Sequence, residues 1–261
     1  MNNPTDPVWL SIITPVLNCE KFIGGCIASV AAQNTPGIEH IIMDGMSTDE
    51  TLLIARSLAE THPALRIYSE NDGGQSAAMN HGIQLARGPI LGFLNADDYY
   101  EPNLFPRVAE LFKTLPDPSF IMANCNVRDD SGQLITINRP AHFTLLNFMK
   151  GREHPWNPSA YFYHKSLHDT VGLYDEKDHY VMDLDFLLRA VQKAHVVYHD
   201  EVWGNFRWMP GRKTFEDAHA GLMQKRYGAL RKKYSPSLTS LDRLHLQSYR
   251  LLRSLYHSVK P

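Results

Sequence analysis

The chain has 261 residues, of which 43% are hydrophobic and 21% charged, and its formal net charge at pH 7 is −2. This composition is typical of a globular protein with a full hydrophobic core, built as one large domain or as a domain with an appendage. The near-neutral charge excludes a general attraction to nucleic acid or acidic membranes, and no apolar run approaches the roughly 18 residues that span a bilayer.

Four apolar runs in the first hundred residues predict buried strands. Residues 8–14 form the first strand, which Pro15 should end, and residues 38–43 form the second. Shorter runs at 66–69 and 90–95 predict the third and fourth strands. Because these runs lack alternating polarity, they indicate a parallel sheet that helices cover on both faces. Right-handed crossovers make such a sheet doubly wound.

Helical patterns separate these strands. The first lies within residues 21–33, and Ser47 and Glu50 have the spacing of a capping box that starts a second helix. A third helix, over residues 75–86, should be closed by Gly88 in the left-handed conformation. The apolar stripe of the first helix consists of Phe22, Ile23, Cys26, Ile27 and Val30.

Past Pro102 the pattern changes to a mixture of helices and shorter strands, so the fold class is α/β with a doubly wound, mostly parallel sheet, a small antiparallel section and C-terminal helices. The sequence predicts a helix at 103–114, a hairpin of 120–127 with 134–138, and a strand at 159–164. A helix at 180–192 and a strand at 196–199 follow, and helices extend from Thr214 with an interruption near Ser235. The apolar side of the helix at 180–192 consists of Leu184, Leu187, Leu188 and Val191.

Polar side chains follow the predicted strands at their carboxyl ends, the edge where doubly wound sheets bind ligands. Asp97 and Asp98 are adjacent, although like charges repel and lose hydration on burial. The pair is either a turn in water or a site for Mg²⁺ or Mn²⁺, which one or two carboxylates and phosphate oxygens can hold. Asp44 is either a helix-entry residue or an acceptor for a base N–H or a ribose hydroxyl. Asn18 and Asp72 are either turn residues or members of the same site.

Four segments carry a shared set of motifs: SIITPVLN (11–18), EHIIMDGMSTDET (39–51), SENDGGQSAAMNHGI (69–83) and GPILGFLNADDYYEPN (88–103). Together they resemble family 2 glycosyltransferases of the GT-A fold, and a weaker resemblance extends to residue 210. The resemblance implies a nucleotide pocket contacted by the Pro15–Asn18 loop and Asp44, with further donor contacts from Asp72, Asn80, Asn95 and Asp97. It also implies that Asp97 and Asp98 bind the metal that bridges the donor diphosphate.

Two positions depart from the pattern of the family. Many members carry a second Asp where this chain has Gly45, so that one contact to the base is absent or comes from elsewhere. Many also have Asp at the position of Asn95, which cannot supply a charge but can still bond a ribose hydroxyl or a phosphate. Both variants, together with the segment AMNHGI, resemble enzymes that decorate bacterial polysaccharides.

A late acidic segment is the predicted source of the catalytic base, which takes the proton of the attacking acceptor hydroxyl. Asp183 precedes Arg189 by six residues, the spacing that the family has for its base. Asp185 is the rival, and the two side chains project about 200° apart on a helix, so only one can face the site. In the alternative without a catalytic role, both carboxylates are N-terminal charges that the positive end of the helix dipole stabilises.

Further residues are candidates for the acceptor side. His154 and Trp156 lie where acceptor-side residues occur in the family, and a Trp ring can stack on the apolar face of a sugar; the alternative is core packing. Arg207 lies in the segment FRWMPGRKT with Arg212 and Lys213, which is either a mobile loop that meets the diphosphate or a plain basic surface loop.

The distribution of charge predicts the organisation of the chain. From Arg212 onward there are eleven Lys/Arg and three Asp/Glu, so a basic tail follows an acidic body. We expect a GT-A domain over 1–211, with a nucleotide-binding half (1–100) and an acceptor-side half (101–211), followed by a basic helical extension (212–261). The basic run of the extension is either a solvated face or a contact with an anionic membrane that holds a lipid-linked acceptor: Lys225, Arg226, Arg231, Lys232 and Lys233.

Cysteines and the N-terminus indicate the compartment. Cys19, Cys26 and Cys125 have no metal-ligand spacing and are interpreted as small buried hydrophobes in a reducing environment. The segment MNNPTDPVWL lacks the layout of a signal peptide. These features predict a cytoplasmic protein, with the inner face of the membrane as the alternative place of contact.

The sequence thus predicts a metal-dependent inverting glycosyltransferase. It would move a sugar from a nucleoside-diphosphate sugar, with UDP-sugar favoured, to the hydroxyl of a saccharide or lipid-linked saccharide. The alternatives are a nucleotidyltransferase and a non-catalytic protein that binds nucleotide sugars. The chain contains no P-loop, no G-x-G-x-x-G and no G-x-S-x-G motif, which argues against the functions that those motifs carry.

Overall fold

The computed structural model describes residues 7–71 and 73–259, with side chains as far as residue 256. The described strands are β1 (Leu10–Val16), β2 (Ile38–Asp44), β3 (Leu65–Ser69), β4 (Ile90–Phe93), β5 (Tyr99–Tyr100), β6 (Ser119–Arg128), β7 (Leu134–Asn138), β8 (Tyr161–His164) and β9 (His195–Arg207). The described α-helices are α1 (Glu20–Ala31), α2 (Thr51–Ala59), α3 (Gln75–Leu85), α4 (Leu104–Phe112), α5 (Leu145–Met149), α6 (Leu167–Val171), α7 (Met182–Ala190), α8 (Lys213–His219), α9 (Leu222–Tyr234) and α10 (Ser240–Val259). Short 3₁₀ helices cover Pro158–Ala160 and Ser235–Ser237.

The strands form one mixed sheet in the order β3-β2-β1-β4-β8-β6-β9-β5, and β7 pairs with β6. The first four of these are parallel neighbours, whereas β8 runs antiparallel between β4 and β6. β9 is parallel to β6, and β5 and β7 add antiparallel pairs. The strand order switches direction at β1, so the carboxyl ends of β1, β2 and β4 surround the point where such sheets bind ligands. The predicted α/β fold class is confirmed.

Pro15 does not end the first strand, contrary to the prediction. β1 continues to Val16 because its pairing with β4 is already complete at Ile13, which lies opposite Phe93. Residues two apart in a strand point their backbone groups to the same side. Pro15 therefore directs its nitrogen past the last β4 pair, and its missing N–H removes no bond from the sheet.

The predicted start of the second helix is also wrong. α2 begins at Thr51, and the hydroxyl of Ser47 does not cap it. That hydroxyl accepts a hydrogen bond from the backbone N–H of Asn18 at 2.9 Å. The backbone N–H of Glu50 is bound by the carboxylate of Glu20 at 3.0 Å. Residues 45–50 are thus the loop between β2 and α2, and they contact the residues that follow β1.

Gly88 has a different role from the predicted helix stop. α3 ends at Leu85, and the following residue is extended rather than left-handed. A Cβ on Gly88 would lie 2.9 Å from the backbone nitrogens of Leu10 and Ser11. Glycine is required here because the chain passes directly against the start of β1.

The basic C-terminal segment is packed into the body of the protein. The largest buried cluster joins side chains of β4, β6, β8, α3 and α7 with side chains from the C-terminal helices. The boundary predicted at residue 211 therefore does not separate two cores. The contributing C-terminal side chains are Leu230, Tyr234, Leu238 and Leu246.

The outer face of α10 is apolar. Leu246 is buried, whereas Leu244, two residues earlier and about 200° around the helix, is 60% exposed. The other exposed leucines of this face are Leu241, Leu251, Leu252 and Leu255. Within residues 7–71 and 73–259, no helix combines the length and the apolar character needed to cross a bilayer.

Candidate functional site

The two adjacent carboxylates after β4 face different surroundings. Asp98 is buried, whereas Asp97 is partly exposed. The Oδ2 atom of Asp98 accepts hydrogen bonds from the amides of Asn95 at 3.1 Å and Asn157 at 2.7 Å, and its Oδ1 atom accepts the backbone N–H of Arg207 at 3.0 Å. Burial, followed by the charge of Asp97, raises the pKa of Asp98 to about 8. Asp98 thus ties the loop after β4 to β9 and to the segment before β8.

Asp97 is in contact with cationic groups. Its Oδ2 atom forms an ion pair with Arg212 Nε at 2.9 Å, and its backbone oxygen accepts a hydrogen bond from Arg207 Nε at 2.8 Å. The guanidinium groups of Arg207 and Arg212 lie 5.3 Å and 5.2 Å from the centre of the Phe22 ring. The structure therefore places Arg207 beside the acidic pair; the predictions for it were the acceptor side, a loop that meets the diphosphate, or a basic surface loop.

Asp97 and Asp98 already have partners within the protein. Arg212 pairs with Asp97, and burial favours the neutral form of Asp98, which accepts three hydrogen bonds. In the part of the chain that the structure describes, no three His, Cys, Asp or Glu side chains cluster as metal ligands. A cation held here would take the remaining ligands from phosphate oxygens and water, as Mg²⁺ commonly does.

The ends of β1 and β2 form the neighbouring part of this edge. Asp44 is buried, and its carboxylate accepts hydrogen bonds from the Ser69 hydroxyl at 2.7 Å and from the Ser47 N–H at 3.2 Å. Asn18 is exposed, and its side-chain oxygen accepts the N–H of Thr48 at 2.8 Å. Pro15, Asn18 and Asp44 therefore lie together at the switch point, as predicted. Asp72 lies outside the described residues.

Asn80 and Asn95 have different environments. Asn95 lies at the strand tip and accepts a 3.5 Å hydrogen bond from Gln75. Asn80 is buried, and its amide bonds the backbone of Tyr174 in both directions and the carboxylate of Glu176 at 2.9 Å. These bonds occupy both amide hydrogens of Asn80. We therefore correct the prediction that Asn80 contacts the donor: it anchors the segment before α7.

A cavity of about 650 Å³ is lined by residues next to the partners of the acidic pair, although neither Asp97 nor Asp98 lines it. Asp183 lines it, as do Gln75, which bonds Asn95, and Phe206 and Trp208, which flank Arg207. Asp183 lies in the first turn of α7, and its Oδ1 atom accepts the N–H of Leu184 at 2.7 Å. Burial raises the pKa of Asp183 to about 6. This carboxylate is ionised at neutral pH and is more basic than an ordinary one.

Asp185 is committed to contacts within the protein. It is 3% exposed, and its Oδ1 atom accepts hydrogen bonds from Lys233 and from the hydroxyl of Tyr234, while its Oδ2 atom pairs with Arg189 at 3.1 Å. Burial opposes the charge of Asp185, but these donors outweigh that effect and lower its pKa. The structure thus separates the two candidate bases: Asp183 lines the cavity, whereas Asp185 joins α7 to α9.

His154 and Trp156 both line the cavity that contains Asp183. The Nε2 atom of His154 lies 3.1 Å from the hydroxyl of Tyr227, and burial, together with the charge of Arg231, lowers the pKa of His154 to about 4. His154 is therefore neutral near pH 7. Trp156 is 37% exposed, so part of its ring is accessible.

Sequence reasoning missed several residues of the site. Asn157 donates a hydrogen bond to Asp98. In the local sequence, Asn157 is recognisable only as a residue that caps the 3₁₀ helix starting at Pro158. Gln75 connects the cavity to Asn95, but it stands at an ordinary helix start in the sequence. Tyr227 reaches the cavity from α9, which only the folded arrangement brings near His154.

Comparisons with known proteins agree with this geometry. The model of the family described as Glycosyl transferase family 2 matches residues 11–171. A PGL/p-HBAD biosynthesis glycosyltransferase of Mycobacterium bovis (strain BCG / Pasteur 1173P2) is 32% identical over 192 residues, which cover 72% of this chain and 71% of that protein.

Two solved structures share the fold. S. aureus TarS 1-349 in complex with UDP-GlcNAc superposes with a TM-score of 0.65 at 22% identity, over 79% of this chain and 60% of that chain. The present chain thus spans less than two thirds of that structure. The mannosyltransferase PcManGT from Pyrobaculum calidifontis, in complex with GDP-Man and Mn²⁺, superposes with a TM-score of 0.60 at 16% identity, over 100% of this chain and 78% of that chain.

The family match covers the strand tips and the acidic pair, which lie within residues 11–171. Asp183 and the C-terminal wall of the cavity lie beyond the matched range. The relative of 32% identity extends the likeness over most of the chain. The chain belongs to glycosyl transferase family 2, and it is a glycosyltransferase.

Proposed function

We propose that the protein is an inverting, metal-dependent glycosyltransferase that takes the sugar of a nucleoside-diphosphate sugar and attaches it to an acceptor hydroxyl. The observation that carries this proposal is the position of Asp183, a carboxylate of raised pKa that lines a cavity whose wall adjoins Asn157 and Arg207, two partners of the strand-tip acidic pair. The names of the similar proteins support transfer in glycoconjugate synthesis.

Asp183 is proposed as the catalytic base. It accepts the proton of the acceptor hydroxyl while that oxygen bonds to the anomeric carbon and the bond from this carbon to the diphosphate breaks, with its electron pair leaving on the diphosphate. Attack from the face opposite the leaving group inverts the anomeric configuration. With a pKa of about 6, Asp183 is a stronger base than a solvated carboxylate and remains ionised near neutral pH.

The donor would bind at the carboxyl ends of β1, β2 and β4. Asp44 and residues Pro15–Asn18 at the end of β1 are proposed to contact the nucleoside, with Asn95 bonding the ribose or a phosphate. Asp97 is proposed as the carboxylate that holds Mg²⁺ or Mn²⁺, and the buried Asp98 positions the loop that carries it. The cation would offset the negative charge that builds on the departing diphosphate. A divalent cation is also present in the PcManGT structure, which has the same fold and holds GDP-Man and Mn²⁺.

UDP is the favoured nucleotide, supported by the UDP-GlcNAc complex of TarS. His154 and Trp156 are proposed to contact the acceptor, because both line the cavity that contains Asp183. The cytoplasm is the proposed compartment, since the three cysteines, Cys19, Cys26 and Cys125, are free and buried.

A thermal-shift titration with UDP, GDP and dTDP, each with and without Mn²⁺, tests this proposal. We expect UDP with Mn²⁺ to raise the melting temperature most, because a ligand that binds only the folded state stabilises it. In Asp97→Asn, the additional shift due to Mn²⁺ should disappear while the melting temperature without ligand changes little. Release of UDP from a UDP-sugar identifies a transferase, whereas release of pyrophosphate from UTP and a sugar 1-phosphate would identify a nucleotidyltransferase and contradict the proposal.

A further inference from the structure

The cavity that contains Asp183 has a strongly basic wall. Its acidic residues are Asp183 itself, Glu153 and Asp217, and the last of these is bound to Arg226 at 2.8 Å. The basic residues outnumber them and come from the segment after α5 and from α8, α9 and α10: Lys150, Arg152, Lys213, Arg231, Arg250 and Arg253.

Most of this positive charge is not neutralised by the protein. Within residues 7–71 and 73–259, the ion pairs include none formed by Lys150, Arg152, Arg231, Arg250 or Arg253. Cations that converge on one cavity without carboxylate partners repel one another, so an anion bound among them would be stabilised.

Arg231 is anchored by contacts with Phe148. It is half-buried, its Nε donates a 3.3 Å hydrogen bond to the backbone oxygen of Phe148, and its guanidinium lies 5.1 Å from the centre of the Phe148 ring. Burial and the nearby charge of Arg250 lower the pKa of Arg231. Arg231 also helps to lower the pKa of His154, which places it beside the proposed acceptor residues.

Arg231 and Arg250 stand between two cavities. They line the first cavity with Asp183, and they also line a second cavity of about 670 Å³ together with Lys232 and Arg243. The positive surface therefore continues from the neighbourhood of the proposed base towards α10. Arginine suits this position because its planar fork binds phosphate oxygens through two parallel hydrogen bonds.

We propose that the acceptor of this enzyme carries a phosphate group, which Arg231 and Arg250 bind while the acceptor hydroxyl reaches Asp183. This inference rests on the proposed function, because it assigns the acceptor side of the same site. The phosphate belongs either to a soluble phosphorylated saccharide or to the headgroup of a lipid-linked acceptor.

Inorganic phosphate tests the basic wall directly. Calorimetric titrations would be made at constant ionic strength on the full chain saturated with UDP, so that the donor site is closed to phosphate. We expect wild type to bind phosphate and Arg231→Gln/Arg250→Gln to bind it at least about tenfold more weakly, since two charge-assisted contacts are lost. The matched control is Arg56→Gln/Lys193→Gln, which removes two exposed charges that do not line either cavity and should leave the affinity unchanged.

Two further measurements identify the source of the phosphate. Glucose 6-phosphate is titrated in the same way, and vesicles of phosphatidylcholine with 30% phosphatidylglycerol are tested by co-sedimentation. Saccharide binding that is lost in the double variant supports a soluble acceptor, and vesicle binding that is lost supports a lipid headgroup. Equal phosphate affinity in wild type and the double variant, or no phosphate binding in wild type, would overturn the inference. Failure of the proposed function is a separate result, because it appears as absent UDP binding in the wild type.

Discussion

Asp183 and Asp185 lie two residues apart in one helix, and their surroundings suit different tasks. Asp183 lines the cavity and has a raised pKa, whereas Asp185 is buried among Arg189, Lys233 and Tyr234 and has a lowered pKa. A base must be accessible to the hydroxyl that it deprotonates, and its pKa should lie near the working pH. Only Asp183 meets both conditions.

Asp183→Asn should lower kcat by about 10²–10⁴-fold, the usual effect of removing a general base, and leave the affinity for UDP nearly unchanged. In the wild type, kcat should fall as the pH drops below 6, because a protonated Asp183 cannot accept a proton; its pKa is about 6. Steady-state rates from pH 5 to 8 measure both effects. Full activity in the variant would contradict the assignment of the base.

Asp185→Asn is the matched control for that measurement. It should retain most of the activity and instead lower the free energy of unfolding by about 1–3 kcal/mol, because buried donors lose a charged acceptor. The pKa of Asp185 is lower in the folded protein, so its stabilising contribution is present at neutral pH and is lost on acidification. Urea unfolding at pH 7 and pH 4 measures this difference.

The sequence predicted the position of a polar residue correctly where that residue follows a strand. It did not predict the direction in which such a side chain points. Asp44 and Asp97 lie at the predicted edge because the carboxyl ends of parallel strands meet there. The inward direction of Asp98 depends on Asn157, which is 59 residues away in the chain. Similarly, the partners of Asn80 are 94 and 96 residues away, a distance that local patterns do not encode.

At the scale of the elements, the close packing of β9 against the 3₁₀ helix Pro158–Ala160 positions the groups that bind Asp98. Gly204 of β9 packs so closely that a Cβ there would lie 2.0 Å from the hydroxyl oxygen of Ser159. The adjoining Asn157 binds Asp98, and Arg207 at the end of β9 donates to the same carboxylate. The contact at Gly204 therefore aligns two of the groups that hold Asp98.

Gly204→Ala should lower the free energy of unfolding by about 1–3 kcal/mol, because an added methyl group must displace its neighbours. It should also weaken UDP binding in the presence of Mn²⁺, since Asn157 moves with Ser159. Gly228→Ala is the matched control: it lies in α9 with no atom within 4 Å of an added Cβ, so stability should be unchanged or higher by up to about 1 kcal/mol. Unchanged stability in Gly204→Ala would contradict the proposed role of this contact.

The accuracy of the sequence-based prediction differs from one strand to another. The parallel strands of the first half and the β6–β7 hairpin were predicted because long apolar runs and a Ser-Gly turn mark them. β9 was predicted only over residues 196–199, although it continues to Arg207. Its second half contains polar residues that pair with side chains of β6 rather than with solvent, for example Asn205 with Asn126 at 3.1 Å.

At the scale of the whole molecule, the C-terminal helices complete both the core and the cavity. Leu230 and Tyr234 lie in the largest buried cluster, and Tyr227, Arg231 and Arg250 line the cavity with Asp183. The sequence marked this region only as basic and helical. Its contribution to the cavity follows from packing against residues 145–156 and α7, which no periodicity in the sequence specifies.

Leu246→Ala and Leu244→Ala test how α10 is attached. Leu246 is buried in the main core, so its truncation should lower the free energy of unfolding by about 2–4 kcal/mol through lost burial and the cavity left behind. Leu244 is 60% exposed, and the same substitution there should change stability by less than about 0.5 kcal/mol. Denaturant unfolding of both variants measures the contrast, and equal effects would show that α10 does not pack through Leu246.

The two sides of α10 give the molecule opposite responses to dissolved salts. Apart from Leu246, its leucines have exposed side chains on the outer face, whereas Arg250 and Arg253 line the cavity. Sodium chloride screens the arginines, while strongly hydrated anions such as sulfate promote the association of exposed apolar side chains. A high concentration of such a salt therefore weakens the electrostatic interactions of the arginines and strengthens association through the exposed leucines. Solutions of low salt with a mild detergent should keep the molecules monomeric.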